Sequence, residues 1–171
     1  QVIFLRDPKM DSISLLPEGS IGRNFITSEY IPEGKDEYYL RNAQLDKSAD
    51  HLRHLTPGEV ELLIKNGNAA DNWDFLLVMD EFDPVQIKNT EFFGLVRIGR
   101  TQRVALEHHD LQIPAGITNS RIVSCDIGDD VAIHNVKYLA HYIIGNRCIL
   151  FDIDEMHTTN HAKFGNGIVK D

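Results

Sequence analysis

From Val85 onward, apolar positions recur in one rhythm: apolar or small, any residue, large apolar. The pattern reads Val85-x-Ile87, Thr90-x-Phe92 and Val96-x-Ile98. After a gap it resumes as Ala115-x-Ile117, Ser120-x-Ile122, Cys125-x-Ile127 and Val131-x-Ile133. Looser versions follow at Lys137-x-Leu139, Tyr142-x-Ile144 and Cys148-x-Leu150. The large positions 117, 122, 127, 133, 139, 144 and 150 are spaced by 5, 5, 6, 6, 5 and 6 residues. A helix repeats about every 3.6 residues, and hairpin strands are punctuated roughly every 8–12. A period near six fits neither.

Internal repeats of this length mark a parallel β-helix, in which each repeat is one short strand and a corner. Three repeats make a triangular coil of about 18 residues, and the coils stack. Turn-formers stand at the expected corners: Gly128-Asp129-Asp130, His134-Asn135 and Gly145-Asn146. Stacking by three repeats predicts one column of Ile117, Ile133 and Leu150, a second of Ile122 and Leu139, and a third of Ile127 and Ile144. Cys148 then falls over Val131 and Cys125 under Tyr142, on different faces, so the two do not bond.

Before Val85 the pattern is helical. Thr56, Pro57 and Glu59 form a capping box with proline at the first helical position. Val60, Leu63 and Ile64 follow as one apolar stripe, and Gly67 supplies the stop. A polar turn, Asn68 to Asn72, leads to Trp73 and a strand-like run, Phe75-Leu76-Leu77-Val78. Residues 1–50 are irregular, broken by Pro8, Pro17 and Pro32, with a weak helical pattern from Asp36 to Lys47. The expected organisation is an N-terminal arm over 1–50, a capped helix and connecting strand over 51–84, and a β-helix over 85–171. Two excursions leave it, at 99–114 and 151–163. The β-helix is expected to continue beyond the chain end or to pack against a partner, because an open sheet edge invites association.

Charge narrows the function. Lys and Arg total 17 against 26 Asp and Glu, a net −9. An acidic chain argues against nucleic acid and against anionic membrane surfaces. Apolar residues are 42% and charged residues 25%, an ordinary globular balance. No apolar run approaches the ~20 residues that span a bilayer. Cys125 and Cys148 form no C-x-x-C pair and suit a reducing cytoplasm as buried thiols. The chain begins at Gln1 without a secretory pattern and reads as a processed chain or a fragment.

Residues 127–132, Ile-Gly-Asp-Asp-Val-Ala, resemble the hexapeptide repeat of left-handed β-helix proteins. Three stretches are similar to the N-terminal part of an uncharacterised bacterial domain-of-unknown-function family built on that repeat. They are Leu52 to Trp73, Ile87 to Gly99, and Ile117 to Ile168, and the likeness covers about two-thirds of the chain. The resemblance implies a mainly β fold, a single-stranded left-handed parallel β-helix preceded by a short helical region. Members of that family are longer than this chain. It transfers no activity. Its wider superfamily is dominated by acyltransferases and sugar-nucleotide enzymes and includes carbonic-anhydrase-like trimers, and fold alone does not fix function.

Acyltransferases of that kind use a histidine as general base on a sugar hydroxyl or amine, with acetyl-CoA as the co-substrate. By that resemblance His134 is the first candidate, because it follows the inward Ile133 and is expected to point outward beside a neighbouring subunit. His157 and His161 come next, on or beside the second excursion. Arg100 and Arg103, on the first, are candidates to grip a cofactor phosphate. His157 and His161 with Asp152 or Asp154 would suit a metal only on a helix, and no metal site is assigned. No phosphate-binding loop or nucleophile elbow occurs. The leading expectation is a transferase-like homo-oligomer acting on a sugar or sugar nucleotide. The other is a non-catalytic scaffold.

Overall fold

The computed structural model describes residues 13–45 and 51–160. Helix α1 spans Tyr38–Gln44 and α2 spans Pro57–Lys65. The first strands are β1 (Arg53–His54), β2 (Ala69–Ala70), β3 (Leu76–Val78), β4 (Ile87–Lys88), β5 (Glu91–Phe93) and β6 (Val96–Ile98). A hairpin follows, β7 (Ala105–His108) and β8 (Leu111–Pro114). Then come β9 (Gly116–Thr118), β10 (Arg121–Val123), β11 (Asp126–Ile127), β12 (Ala132–Val136), β13 (Leu139–Ala140), β14 (Ile143–Ile144), β15 (Ile149–Ile153) and β16 (Met156–His157).

The fold is mainly β, with three large sheets that are parallel apart from β1. Sheet one runs β1-β3-β6-β11-β14, sheet two runs β16-β13-β10-β5-β2 and sheet three runs β15-β12-β9-β4. From β2 the chain visits sheets two, one and three in fixed rotation, interrupted by the hairpin alone. All the expected columns are present. Ile133 lies in register with Ile117 and Leu150, at separations of 16 and 17 residues. Ile122 pairs with Leu139 and Ile127 with Ile144, each 17 apart. Ile87, Phe92 and Ile98 extend the three columns backward. Most of these side chains are buried in one core with Leu63, Val78 and Phe82. Burying each such side chain contributes roughly 1.5–3 kcal/mol, so the columns dominate the fold's stability.

Two boundaries differ from the sequence reading. Parallel pairing starts at β2 and β3, well before Val85. The two alanines of β2 carry too little apolar bulk to announce a strand. Of the expected excursion at 151–163, residues 151–157 belong to the sheets, because β15 and β16 keep the rotation as far as His157; residues 161–163 lie outside the described residues. Asp152, Asp154 and Glu155 mask it, since charge at exposed positions resembles a loop. Within the expected excursion at 99–114, β7 and β8 form an antiparallel hairpin in a sheet of their own, while Gly99 and Arg100 still bond to the next coil.

Corners are made by residues in the left-handed region. Asn89, Asn119, Asn135 and Asp152 sit there with φ of 48°, 51°, 55° and 52°. Their side chains form a hydrogen-bonded column. Asn89 donates to Asn119 (3.3 Å), Asn119 to Asn135 (3.1 Å) and Asn135 to Asp152 (3.0 Å). At a second corner the left-handed residues are Asp130 and Arg147, so Gly145 and Asn146 are not the pivot there. Gly128 is needed for close approach, since a Cβ would lie 2.7 Å from the Asn146 nitrogen stacked on it.

Helix α2 closes one end of the stack. Its expected capping box is present: the Thr56 hydroxyl accepts from the Glu59 N–H, and Glu59 accepts from the Thr56 N–H. Gly67, at φ +82°, ends it, with the Asn68 N–H on the Leu63 carbonyl and the Gly67 N–H on that of Ile64. Leu63 is fully buried against the first columns. Buried Asn68 joins helix to sheets, donating to Leu63 and Ile87 carbonyls and accepting from the Thr90 N–H. Helix α1 is shorter than the 36–47 pattern and lies against sheet one.

Candidate functional site

Side chains alternate across a strand, so the residues beside the inward Ile98, Ile127 and Ile144 form an outward column on sheet one. That column reads Leu77, Arg97, Asp126, Ile143 in register. Outward residues are usually wet, but Arg97 and Asp126 are only 6% and 1% exposed. Helix α1 covers them.

One carboxylate serves two guanidinium groups there. Arg97 donates to Asp126 from Nε (2.5 Å) and Nη2 (3.1 Å). Arg41, on α1, donates from Nε (3.0 Å) and Nη2 (2.9 Å). Arg41 also reaches the Ser124 hydroxyl and the Leu95 carbonyl, and Arg97 Nη1 reaches Asn42 Oδ1 at 2.6 Å. A carboxylate accepts about four hydrogen bonds, so Asp126 is saturated and is no general base. Burial of a paired charge demands such complete satisfaction.

Beside this cluster opens a cleft of about 330 Å³, lined by Arg97, Asp126, Leu52, Met79, Asn146 and Asp129 among others. Phe25 of the arm stacks on His141, with ring centroids 3.5 Å apart and planes 9° from parallel. Burial, then electrostatic repulsion from Arg41 and His157, pushes the His141 pKa down to about 4.

The residues expected from the sequence lie elsewhere and apart. His134 is not on an open face: it is 8% exposed. Its Nε2 donates to the Pro114 carbonyl (2.7 Å), and its Nδ1 faces the Thr118 hydroxyl (2.6 Å). A carbonyl only accepts, which fixes the proton on Nε2 and leaves Nδ1 as the acceptor from Thr118. The base of the hairpin covers the ring, and both nitrogens are engaged. Arg100 pairs with Asp130 (2.8 Å) and Arg103 with Asp83 (2.7 Å), so both tie the hairpin segment to neighbouring corners. His157 is half exposed, with Nε2 4.0 Å from Glu155. His161 lies outside the described residues. Among the described residues no three His, Cys, Asp or Glu side chains are grouped to hold a metal. Also among them, no helix is long and apolar enough to cross a membrane. Both cysteines are free, and burial raises the Cys125 thiol to about 11, which makes it inert.

Sequence reasoning missed the Arg97–Asp126–Arg41 cluster. Its signal was present: Arg97 and Asp126 occupy the middle position of matching repeats, Val96-x-Ile98 and Cys125-x-Ile127.

Residues 52–171 match the model of the family described as Domain of unknown function (DUF4954), and the chain belongs to that family. It is 50% identical, over 159 residues, to an uncharacterised protein of Treponema pallidum (strain Nichols). That match covers 93% of this chain and 22% of the relative, so the chain spans under a quarter of the relative's length. No solved structure matches.

Proposed function

We propose that this chain is a non-catalytic assembly module: the capped first coils of a left-handed parallel β-helix of the hexapeptide type. The observation that supports it best is strand pairing that advances 16 or 17 residues per circuit through three sheets in rotation. Helix α2 covers the first circuit. The last strands of the sheets, β14, β15 and β16, each have a strand on one side alone among the described residues. Further coils stack there, from a longer polypeptide or a second copy. His134, Arg100 and Arg103 support this reading, since each is spent on internal bonds that brace the hairpin. Two free thiols support a cytoplasmic location.

The test is a crystal structure of a polypeptide extended beyond residue 171, with a binding panel on the same protein. The expected result is left-handed winding, new parallel strands on β14–β16, and no heat with acetyl-CoA or sugar nucleotides. Right-handed winding, or saturable binding with turnover, overturns it.

One observation favours the alternative, a transferase-like homo-oligomer. His157 is half exposed beside Glu155, an arrangement that suits a general base on a sugar hydroxyl with acetyl-CoA as acyl donor. Under that reading His157→Ala abolishes turnover, while His134→Ala leaves the chemical step intact.

A further inference from the structure

The charge cluster on sheet one is unbalanced. Among the described residues, Asp126 is the one carboxylate paired with Arg97 and Arg41, so two buried cations share one anion. Uncompensated buried charge is costly, so an anion that reached these guanidinium groups would be stabilised there. Arg97 is placed for that meeting. It lines the cleft, and three of its five N–H groups are used, on Asp126 and Asn42. The remaining two, one on each terminal nitrogen, are charged donors of the kind that oxyanions accept from.

The rest of the lining narrows the class of ligand. Leu52, Met79 and Ile143 contribute apolar surface to the lining. Asn146 adds an amide whose oxygen is already occupied by the Asp129 N–H, so its NH₂ is the group left to donate. Asp129 brings a second carboxylate to the cleft; one of its oxygens accepts the Arg100 N–H. Its charge sets a limit: it repels every anion, a dianion about twice as strongly as a monoanion at the same distance, so the singly charged ligand is favoured. A volume near 330 Å³ sits at the small end of ligand sites. We propose that this cleft binds a small monocarboxylate, with the carboxylate on Arg97 and an apolar tail across Met79 and Leu52. This inference is independent of the winding of the sheets and of any transferase activity.

The experiment is an NMR titration of the ¹⁵N-labelled chain, following arginine Nε–H resonances at pH 7.5. Hexanoate is the probe. Hexanamide is the neutral control of the same shape, and inorganic phosphate supplies the dianion. The expected result is a saturable shift of Arg97 with hexanoate, at least tenfold weaker with hexanamide and with phosphate. Met79→Trp, which fills the cleft, abolishes the shift while the free Arg97 resonance stays in place. Equal responses to hexanoate and hexanamide, tighter binding of phosphate, or a shift no larger than that of exposed Arg103 overturns the proposal. So does an unchanged titration in a folded Met79→Trp protein.

Discussion

Arg41 and Asp126 are 85 residues apart in sequence and meet in two hydrogen bonds, 2.9 and 3.0 Å long. The pair fastens the N-terminal arm to the wall of the sheets. Asp126→Asn removes the anion from beneath two buried guanidinium groups. Breaking one side of a buried ion pair costs about 3–5 kcal/mol. Urea denaturation is expected to show a loss of that size, and Arg41→Met a smaller one, because it leaves Arg97 and Asp126 matched.

His134 links the hairpin to sheet three. His134→Ala removes the partners of the Pro114 carbonyl and the Thr118 hydroxyl, two part-buried hydrogen bonds worth about 0.5–1.5 kcal/mol each, or roughly 1–3 kcal/mol together. The global loss is expected in that range. Hydrogen exchange should localise it, with Ala105 to Pro114 losing protection before the columns do.

The His141 contact is sensitive to acid. Its folded pKa, about 4, lies below the ordinary imidazole value of 6.5, so the unfolded chain binds the proton first. The contribution of this contact is complete above about pH 6.5 and declines as pH falls toward 4, with no further change below that. Burial is the main cause that disfavours the imidazolium, and electrostatic repulsion from Arg41 and His157 adds to it. Between pH 7 and 4.5, Tm of the wild type is expected to fall more steeply than Tm of His141→Gln. Equal slopes would remove the residue from the account.

Glu59 titrates in a lower window. Its hydrogen bond to Arg53 holds the carboxyl at about 2, against an ordinary 4.5. The unfolded chain is again protonated first, so this contribution is complete above about pH 4.5 and is lost on the way down to 2. Glu59→Gln, compared with the wild type by thermal melts at pH 7 and pH 3, should show its larger deficit at pH 7.

Gly67→Ala tests the end of α2. A side chain at φ +82° costs about 1–2 kcal/mol from the backbone alone. The Asn89 amide stands where the methyl would go, which adds to the cost. A drop in Tm beyond that of Gly58→Ala, where space is open, is the expected result.

The columns were readable because each strand carries one large aliphatic residue at a fixed interval, as Ile117, Ile133 and Leu150 do. The capping box of α2 was readable for a similar reason: Thr56, Pro57 and Glu59 act within three residues of one another. What stayed hidden depends on contacts at long range. Nothing local distinguishes His134 in a wet corner from His134 under a hairpin whose base returns 20 residues earlier. The burial of Arg97 depends on α1, 55 residues upstream at Asn42, and the arm's own pattern was too weak to place it. Asp152 and Asp154 gave strand β15 and its exit the look of a loop, because the exposed face of a narrow strand tolerates charge freely.

The amide column at the corners has a direction. Each asparagine donates an amide N–H to the oxygen of the next, from Asn89 through Asn119 and Asn135, and Asp152 accepts the last bond. An ionised carboxylate has nothing to pass on, so the relay reverses its demand at that level. Whatever settles over Asp152 must bring an N–H or O–H of its own, which makes this corner a gate that admits donors and turns away another aspartate.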